Sequence, residues 1–408
     1  MLELAKIDGG KYNRAAVVLS LFDTGLAAIR ALGRAGVPVL GLDSDPQMPG
    51  FKSRYCTAKV CPDAIAQPDE LAQFLLTQGK RLGHRGILFP TSDAYVLFVS
   101  RYQEQLRQCF DVALPPAALV EGILNKRTQY DLAARQGVPF PATFYPQSQQ
   151  GLVAIQNDIP YPACIKPYYA HLWGRYFDSK GVRVDSPQEL VAAFEHIWPT
   201  GLQAMVQSVI PGPASSNYEI SFYIGQQGDL LALFTVQKLR QYPPQFGVGT
   251  LVQSVHHPEL FPLMRRLLDG LDYRGFGNLE FKLDPRDGQL KLIELNARLW
   301  QQSDQAAACG INFPLIQYLD LTGQFPCPQT DFPDGVRWVD PMADFQSFWH
   351  FYRKGEMSAW EWLQSWQSAR AFAVFARDDW RPALASLDYG LKLLRVPLYA
   401  FRHRLPQE

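Results

Sequence analysis

Apolar and polar positions alternate along two neighbouring segments near the middle of the chain. Residues 277–284 show this alternation, and residues 292–298 repeat it. Pro285 and Gly288 lie between the two segments and are typical of a turn. The pattern therefore predicts two paired strands, each with one apolar face and one polar face.

The polar faces of these predicted strands bring carboxylates together. With a loop over residues 285–289, Glu280 faces Glu294 across the hairpin, and like charges in this position repel. A divalent cation held by both carboxylates and by the Asn296 amide, and shared with nucleotide phosphates, would relieve this repulsion. Arg298 follows on the same face and would hold an anionic group. A solvated charged face is the alternative interpretation, and this pattern alone does not choose between the two.

Strand-like and helix-like segments alternate over the first hundred residues. Strands are expected at 15–19, 37–42 and 86–89, and helices at 24–35 and 65–81. This alternation predicts a parallel sheet with helices on both faces, an α/β domain. The turn at residues 20–25 lacks Gly-x-Gly-x-x-Gly, so a dinucleotide-binding Rossmann domain is not supported.

Two loops of this α/β segment are candidate ligand sites. In such sheets ligands bind beyond the carboxyl ends of the strands, here residues 20–24 and 90–93. Thr91 or Ser92 either caps the helix that begins near Ala94 or helps to bind a substrate carboxylate. Both interpretations stay open at this point.

A second α/β region follows the linker at Leu114–Pro116. A helix is expected at 128–136, and strands are expected near 161–166, 202–208, 219–224 and 230–236. From about Asp331 the chain becomes rich in tryptophan. Six tryptophans fall in this last segment, which is expected to be helical: Trp338, Trp349, Trp360, Trp362, Trp366 and Trp380.

Composition narrows the class of protein. The 408 residues suffice for two or three domains, and a formal net charge of zero argues against a nucleic-acid partner. The six cysteines include no Cys-x-x-Cys pair, so neither a zinc site nor a disulfide framework is expected. A reducing, cytoplasmic location is expected instead. No membrane span and no signal peptide are predicted. His256 and His257 are adjacent and would point apart, so they are not expected to share a metal ion.

Three lysines lie at conspicuous positions. Lys126 precedes a predicted helix, Lys166 ends an apolar strand, and Lys238 follows another. Each alone is typical of a surface lysine. Together they resemble a phosphate-binding set, because a triphosphate needs several separated cations.

In this order the motifs resemble those of the ATP-grasp ligases, over roughly residues 15 to 325. The stretch from Lys238 to Pro244 with Gly247–Thr250, and Asn125–Arg127, resemble the carboxylate–amine ligase subgroup that includes D-aspartate ligase. The resemblance implies an α/β pre-ATP-grasp domain over 1–115 and an ATP-grasp domain of two α+β subdomains over 116–330. A helical, tryptophan-rich extension over 331–408 would complete the chain.

The resemblance also implies a role for individual residues. Lys126 and Lys166 match lysines that contact ATP phosphates, and Lys238 matches a lysine near the γ-phosphate. Gln207, Ser208, Val209 and Ile210 match the segment whose backbone meets the adenine edge, and Glu219 the acceptor of the ribose hydroxyls. Glu280, Glu294 and Asn296 match the ligands of Mg²⁺, or of Mn²⁺ in its place. Arg298 matches the arginine at the reacting group, and Arg240 is expected to hold the anionic substrate.

One loop departs from the family pattern. Residues 167–181 are bulky and aromatic where the family often has a glycine- and serine-rich phosphate loop. Arg175 or Lys180 would then replace backbone amides as the phosphate contact, or the loop would close as a lid. A surface loop stabilised by aromatic packing is the third interpretation.

The resemblance implies an ATP-dependent ligase that joins a small-molecule carboxylate to an amine. The reaction would pass through an acyl phosphate and release ADP and phosphate. Two alternatives remain: a regulatory or assembly protein that binds ATP without turnover, and an ATP-grasp phosphotransferase. A homodimer is a further possibility, and the sequence does not identify the two substrates.

Overall fold

The structure, a computed structural model, describes residues 12–174, 176–177, 181–244 and 246–387. Arg175, Lys180 and the basic residues from Lys392 onward lie outside the described residues. Three sheets organise the described chain, with five, four and seven strands.

The first segment forms the predicted parallel sheet, in the strand order β3-β2-β1-β4-β5. All side chains of the first strand are buried, as expected for a strand covered on both faces. The elements are β1 (Ala16–Leu19), α1 (Asp23–Arg34), β2 (Val39–Asp43), β3 (Thr57–Val60), α2 (Pro68–Leu82), β4 (Gly86–Pro90), α3 (Asp93–Arg101), α4 (Gln103–Leu106) and β5 (Phe110–Asp111).

The second segment begins with two helices and continues with a small antiparallel sheet, in the order β6-β9-β7-β8, whose strands alternate with three further helices. Asn125 caps the second helix, because its side-chain oxygen accepts a hydrogen bond from the Arg127 N–H at 3.0 Å. The elements are α5 (Ala117–Leu124), α6 (Lys126–Arg135), β6 (Thr143–Phe144), α7 (Gln149–Ile155), β7 (Ala163–Pro167), α8 (Ala170–Trp173), β8 (Val182–Val184), α9 (Pro187–Ile197) and β9 (Ala204–Ser208).

The third segment supplies most of the seven-stranded sheet and includes the predicted hairpin. The hairpin is confirmed, but its loop is one residue shorter than expected, because Gln289 already pairs with Asp284. A bulge between Glu280 and Phe281 then restores the predicted pairing of Glu280 with Glu294. Lys238 lies inside a strand rather than after one, because that strand continues beyond the expected end at residue 236. The elements are β10 (Asn217–Ile224), β11 (Leu230–Tyr242), β12 (Val248–Ser254), α10 (Leu260–Leu268), β13 (Gly275–Asp284) and β14 (Gln289–Asn296).

The last segment is not purely helical, which corrects the sequence-based expectation. Two short strands extend the large sheet, and Trp338 lies in the first of them with its side chain fully buried. The elements are α11 (Ser303–Ala308), α12 (Phe313–Leu321), β15 (Arg337–Val339), α13 (Pro341–Arg353), α14 (Ala359–Gln364) and β16 (Ala369–Phe372). The large sheet therefore runs β14-β13-β10-β11-β12-β15-β16.

The two faces of the large sheet have different neighbours. One face packs its apolar residues against α10 and the helices that precede the small sheet. The other face packs, together with α11 and α12, against α1 of the first segment. On this second face the apolar core gives way to polar side chains where Glu219, Glu280 and Glu294 lie.

Asp344 holds the last segment to the large sheet. It is fully buried and accepts hydrogen bonds from Arg240, from Thr250 at 2.8 Å and from the indole N–H groups of Trp362 and Trp366, both at 2.8 Å. The Arg240 guanidinium binds it through two nitrogens, at 2.9 and 2.7 Å. Such a fork is the preferred geometry of arginine with a carboxylate.

A second anchor ties the last segment to the first. Arg30, which is 1% exposed, pairs with Asp379 at 3.0 Å. The neighbouring Asp378 accepts hydrogen bonds from both Arg34 and Tyr55. The C-terminal segment thus contacts both the large sheet and helix α1.

Replacing Asp344 with alanine should destabilise the chain by about 3 to 5 kcal/mol, because the charge of Arg240 would remain buried without a partner. The matched control is Asp334→Ala, since Asp334 is exposed and pairs with His256 on the surface. The control should change stability by about 0.5 kcal/mol at most. Urea unfolding followed by fluorescence measures both. Equal shifts of the two midpoints would contradict the anchoring role of Asp344.

Candidate functional site

Three carboxylates lie side by side on adjacent strands of the large sheet. Glu219 on β10 pairs with Glu280 on β13, which pairs with Glu294 on β14. A second row beside it contains Ser221, Asn278 and Asn296 in the same register. Because residues two apart on a strand share a face, both rows lie on one face of the sheet. We call the first of them the carboxylate row.

Lys238 neutralises one end of the carboxylate row. Its ammonium lies 2.7 Å from Glu280 and 3.3 Å from Glu219. Burial alone would lower the pKa of Lys238, but the two carboxylates outweigh it and hold that pKa above its ordinary value. Lys238 therefore stays charged.

Glu219 is the most enclosed member of the row. Its side chain is 3% exposed, and its second oxygen accepts a hydrogen bond from Asn278 at 3.2 Å. Burial raises the pKa of Glu219, and the charge of Lys238 works against that rise. The expected contact with a ribose stays a prediction, and it requires Glu219 to exchange its present contacts.

Lys126 neutralises the other end of the row. It is the first residue of α6, and its ammonium pairs with Glu294. The helix is fixed to β14 by Gln129, whose side chain accepts from the Leu295 N–H at 3.0 Å and donates to the Leu295 carbonyl at 2.9 Å. Tyr130 adds a hydrogen bond to the Ile293 carbonyl at 2.6 Å. The lysine is thus held over the row by its helix.

Lys166 reaches the same region from the small sheet. Its ammonium donates to the side chain of Gln207 at 2.8 Å, and Gln207 donates in turn to Thr143 at 2.9 Å. The Tyr130 hydroxyl lies 3.4 Å from the same Gln207 oxygen. The small sheet is therefore linked to α6 through Gln207.

Residues 207–210 are predicted to contact adenine through their backbone, but some of their backbone groups already have hydrogen-bond partners. The N–H groups of Ser208 and Val209 already donate to the carbonyls of Ala142 and Pro162, at 2.9 and 2.8 Å. The Ile210 carbonyl accepts a hydrogen bond from Lys282 at 2.9 Å. Contact with a base through this segment stays a prediction. The Ser208 and Val209 N–H groups could donate to a base only if they gave up their present backbone partners.

Arg298 connects the large sheet to the first segment. Its guanidinium donates to Asp93 at 2.5 Å and lies 3.4 Å from the Asn296 side-chain oxygen. Asp93 begins α3 at the carboxyl end of β4, the edge that was expected to face a ligand. Thr91 and Ser92 do not cap that helix with their side chains. Thr91 donates instead to the Leu19 carbonyl at 2.8 Å.

The other predicted edge also lies beside this segment. Asp23, the first residue of α1, accepts a hydrogen bond from Gln301 at 3.0 Å. Burial, and secondly the charge of Asp340, raise the pKa of Asp23 to about 7. Its other oxygen is buried with no hydrogen-bond partner among the described residues. Both carboxyl-end loops of the parallel sheet thus flank the chain that follows Asn296.

Arg240 does not belong to this site, which corrects the prediction that it holds an anionic substrate. The register shifts between Lys238 and Arg240, so Lys238 pairs with Val252 and Arg240 with Leu251. Since adjacent residues of a strand face opposite ways, this bulge places Lys238 and Arg240 on opposite faces of the sheet. Asp344 binds Arg240 there.

The bulky loop after Lys166 is described only in part. Trp173 is buried and stacks on Phe177 with 4.2 Å between the ring centroids, which favours the aromatic-packing interpretation for this portion. Tyr168 at its start accepts a backbone hydrogen bond from Lys126 at 2.9 Å. Arg175 and Lys180, the residues expected to contact phosphate, lie outside the described residues.

Several site residues carried a weak signal in the sequence. Asn278 and Lys282 lie two residues before and after Glu280, so the strand alternation places all three on one face. Nothing in the local sequence marks Asp93 as the partner of Arg298, because the two are 205 residues apart. Gln129 likewise contacts β14 only through the tertiary fold.

The side chains at the hairpin fit a hard divalent cation. Glu280 and Glu294 face each other, Asn296 follows on the same face, and the two carboxylates are 25% and 31% exposed. Each already has a lysine ammonium against it, and a divalent cation would share or replace these contacts. Two carboxylates and an amide oxygen are the donor type that Mg²⁺ prefers.

Comparison with known proteins gives a consistent result. No family model matches the chain. It is 22% identical to D-aspartate ligase of Enterococcus faecium over 305 residues, 71% of this chain and 72% of that protein. It is 25% identical to D-alanine–D-alanine ligase of Pseudomonas entomophila over 304 residues, 72% of this chain and 82% of that protein.

Solved structures share the fold at low sequence identity. N5-carboxyaminoimidazole synthetase from Staphylococcus aureus, complexed with ADP, matches with a TM-score of 0.62 at 12% identity, over 79% of this chain and 81% of that one. L-amino acid ligase from Bacillus licheniformis matches with a TM-score of 0.59 at 16% identity, over 78% and 77%. The predicted resemblance to ATP-grasp carboxylate–amine ligases is confirmed.

The raised pKa of Asp23 predicts a pH dependence of stability. A folded carboxyl that keeps its proton up to about pH 7 makes the unfolding free energy fall as pH rises from about 4 to about 7. Asp23→Asn should lessen this fall, whereas Asp158→Asn, at an exposed carboxylate, should leave it unchanged. Unfolding midpoints at pH 5 and pH 8 measure the effect. A slope that Asp23→Asn leaves unaltered would contradict the buried, protonated state.

Proposed function

We propose that the chain joins a carboxylate to an amine at the expense of ATP, and that it uses ATP at the carboxylate row. The observation that carries the proposal is the pairing of Glu280 opposite Glu294, with Lys238 and Lys126 on their outer sides. Cations of this kind are what a triphosphate requires. The sequence similarity to D-aspartate ligase and D-alanine–D-alanine ligase supports the same reaction class.

Each basic residue has a proposed task. Lys126 and Lys166 bind ATP phosphates, and Lys238 binds near the γ-phosphate. In the structure these lysines rest on Glu294, Gln207 and Glu280. Phosphate oxygens would share or replace those contacts. The carboxylate row and Gln207 therefore hold the three lysines in position before ATP binds. This positioning reduces the reorganisation that the reaction requires.

Glu280, Glu294 and Asn296 would hold Mg²⁺. An ion bound there would neutralise part of the phosphate charge. Arg298, held by Asp93, would hold the carboxylate substrate or the reacting phosphate by a charge-assisted hydrogen bond.

The proposed reaction has two steps. A carboxylate oxygen of one substrate attacks the γ-phosphorus, the bond to ADP breaks, and an acyl phosphate forms. The amine nitrogen of the other substrate then attacks the acyl carbon, loses a proton, and phosphate leaves. No side chain of the protein becomes covalently bonded. Lys238 and Arg298 act by charge and position.

We also propose that the reaction takes place in the cytoplasm. All six cysteines of the described chain are free thiols, which fits a reducing compartment.

Replacing Glu294 with glutamine should lower substrate-dependent ADP release by about 100-fold or more, because one anionic ligand and the partner of Lys126 are lost together. Its matched control is Glu259→Gln, at an exposed carboxylate outside the site, which should retain full turnover. Thermal unfolding of both variants checks that the fold persists. Full turnover by a folded Glu294→Gln protein would reject the metal role of Glu294.

Incubation with ATP, Mg²⁺ and a panel of amino and carboxylic acids should give ADP only when a carboxylate and an amine are present together. Mass spectrometry should then show an amide. ADP accompanied by a stable phosphorylated product and no amide would indicate the phosphotransferase instead. ATP binding with no ADP from any mixture would indicate the regulatory protein.

A further inference from the structure

Exposed apolar side chains are concentrated in the C-terminal segment. Among the described residues seventeen large apolar side chains are strongly exposed, and ten of these lie between residues 342 and 387. Trp360 is 67% exposed and Trp349 is 49% exposed. A concentration of this kind marks an interaction surface, since single exposed apolar residues are normal but contiguous ones are not.

Four of the exposed aromatic residues, Phe345, Trp349, Tyr352 and Phe375, belong to one connected layer. Ring contacts lead from α13 across α14 to β16 and the chain beyond it. The pairs are Tyr352–Trp349, Trp349–Phe345, Phe345–Trp362, Trp362–Trp366, Trp366–Phe372 and Phe372–Phe375, with centroid separations from 5.0 to 6.5 Å. We call its exposed members, together with the exposed Trp360 and Leu363 of α14, the aromatic face: Phe345, Trp349, Tyr352, Trp360, Leu363 and Phe375.

A cationic cavity lies beside the aromatic face and shares Trp349 with it. Its volume is about 420 Å³, and its lining comprises Tyr242, Gln346, Trp349, His350, Arg353 and Lys354. No acidic residue lines it among the described residues. Glu361, the acidic residue of nearby α14, is bound to Ser358 in a capping box. The cavity therefore offers positive charge beside aromatic rings.

This cavity is separate from the carboxylate row. Tyr242 lies on the same strand as Lys238, four residues further along. It lies on the side of Arg240 and α13, across the sheet from Lys238, because the bulge reverses the alternation. A partner bound at the aromatic face would leave the carboxylate row open.

The sequence that follows the described residues is also rich in apolar and basic residues. The chain leaves the described part at Leu387, which is 50% exposed. Between residues 389 and 405 it contains no acidic residue, and leucine and phenylalanine recur at spacings of three and four. The same stretch includes Lys392, Arg395, Arg402 and Arg404. Apolar and basic residues in this mixture are typical of segments that bind membrane surfaces.

We propose that the aromatic face docks on the surface of a bilayer that contains anionic lipid, with a lipid headgroup in the cationic cavity. Tryptophan and tyrosine are the residues that favour the membrane–water interface, and arginine and lysine bind anionic headgroups. None of the described helices is long and apolar enough to cross a membrane. A two-fold contact whose axis passes close to Arg353 and Lys354 is disfavoured, because it would bring these cations near their own counterparts.

Co-sedimentation of the full chain with vesicles tests the proposal. One set of vesicles contains phosphatidylcholine alone and the other adds phosphatidylglycerol. The protein should bind the anionic vesicles at low salt and leave them at high salt. Arg353→Gln with Lys354→Gln should weaken binding by about 30-fold, at about 1 kcal/mol for each cation.

Trp349→Ser with Trp360→Ser should weaken binding more than tenfold, because each ring would lose its burial in the interface. The matched control, Phe325→Ser with Phe261→Ser, removes exposed aromatic rings outside the aromatic face and should bind as the unmodified chain does. ADP release without vesicles should be equal in all variants.

Three results would overturn the proposal. The first is no binding to anionic vesicles at low salt. The second is equal binding to both vesicle types that the charge variant leaves unchanged. The third is a concentration-dependent dimer in light scattering, abolished by the tryptophan variant, in a protein that ignores vesicles. That last result would assign the aromatic face to contact between two copies of the chain.

Discussion

Electrostatic repulsion within the carboxylate row is the constraint on which the site depends. Three glutamates on adjacent strands would destabilise the sheet if no cation lay among them. Lys238 satisfies two of them from within the same sheet, and Lys126 satisfies the third from helix α6. The position of α6 is therefore set by charge as well as by packing. Gln129 makes that position rigid through two hydrogen bonds to β14.

Because the cations come from different parts of the chain, the site also joins those parts together. Lys126 begins α6, Lys166 lies on the small sheet, and Arg298 follows the large sheet and contacts Asp93 at the start of α3. Gln207 contacts both Lys166 and Tyr130, and Tyr130 is hydrogen-bonded to β14. Lys166 is thus connected to β14 through these two side chains. The proposed phosphate-binding groups lie on separate layers, so their spacing would change if the layers moved. A fold that closes on its nucleotide requires this property.

The sequence predicted the parts of the fold that periodicity controls. The hairpin follows from alternation and a turn with Pro285 and Gly288, and the parallel sheet follows from short apolar runs between helices. The final register of the hairpin also depends on a bulge between Glu280 and Phe281. Local pattern does not reveal a bulge, so the separation of Lys238 from Arg240 was not predictable. The strands at Arg337–Val339 and Ala369–Phe372 have three and four residues, too few for a period to appear. The pairing of Asp93 with Arg298 joins residues that only the tertiary fold brings together.

The contact between Arg30 and Asp379 has a consequence for the order in which the chain is made. Helix α1 emerges early in synthesis, but the carboxylate that neutralises its buried arginine follows 349 residues later. Until then the α/β segment must either leave Arg30 in water or bury it at a cost of several kcal/mol. The first segment therefore completes its packing only after Asp379 has left the ribosome. A chain released early would retain an unfinished surface on α1, a state that quality-control proteases would distinguish from the complete fold.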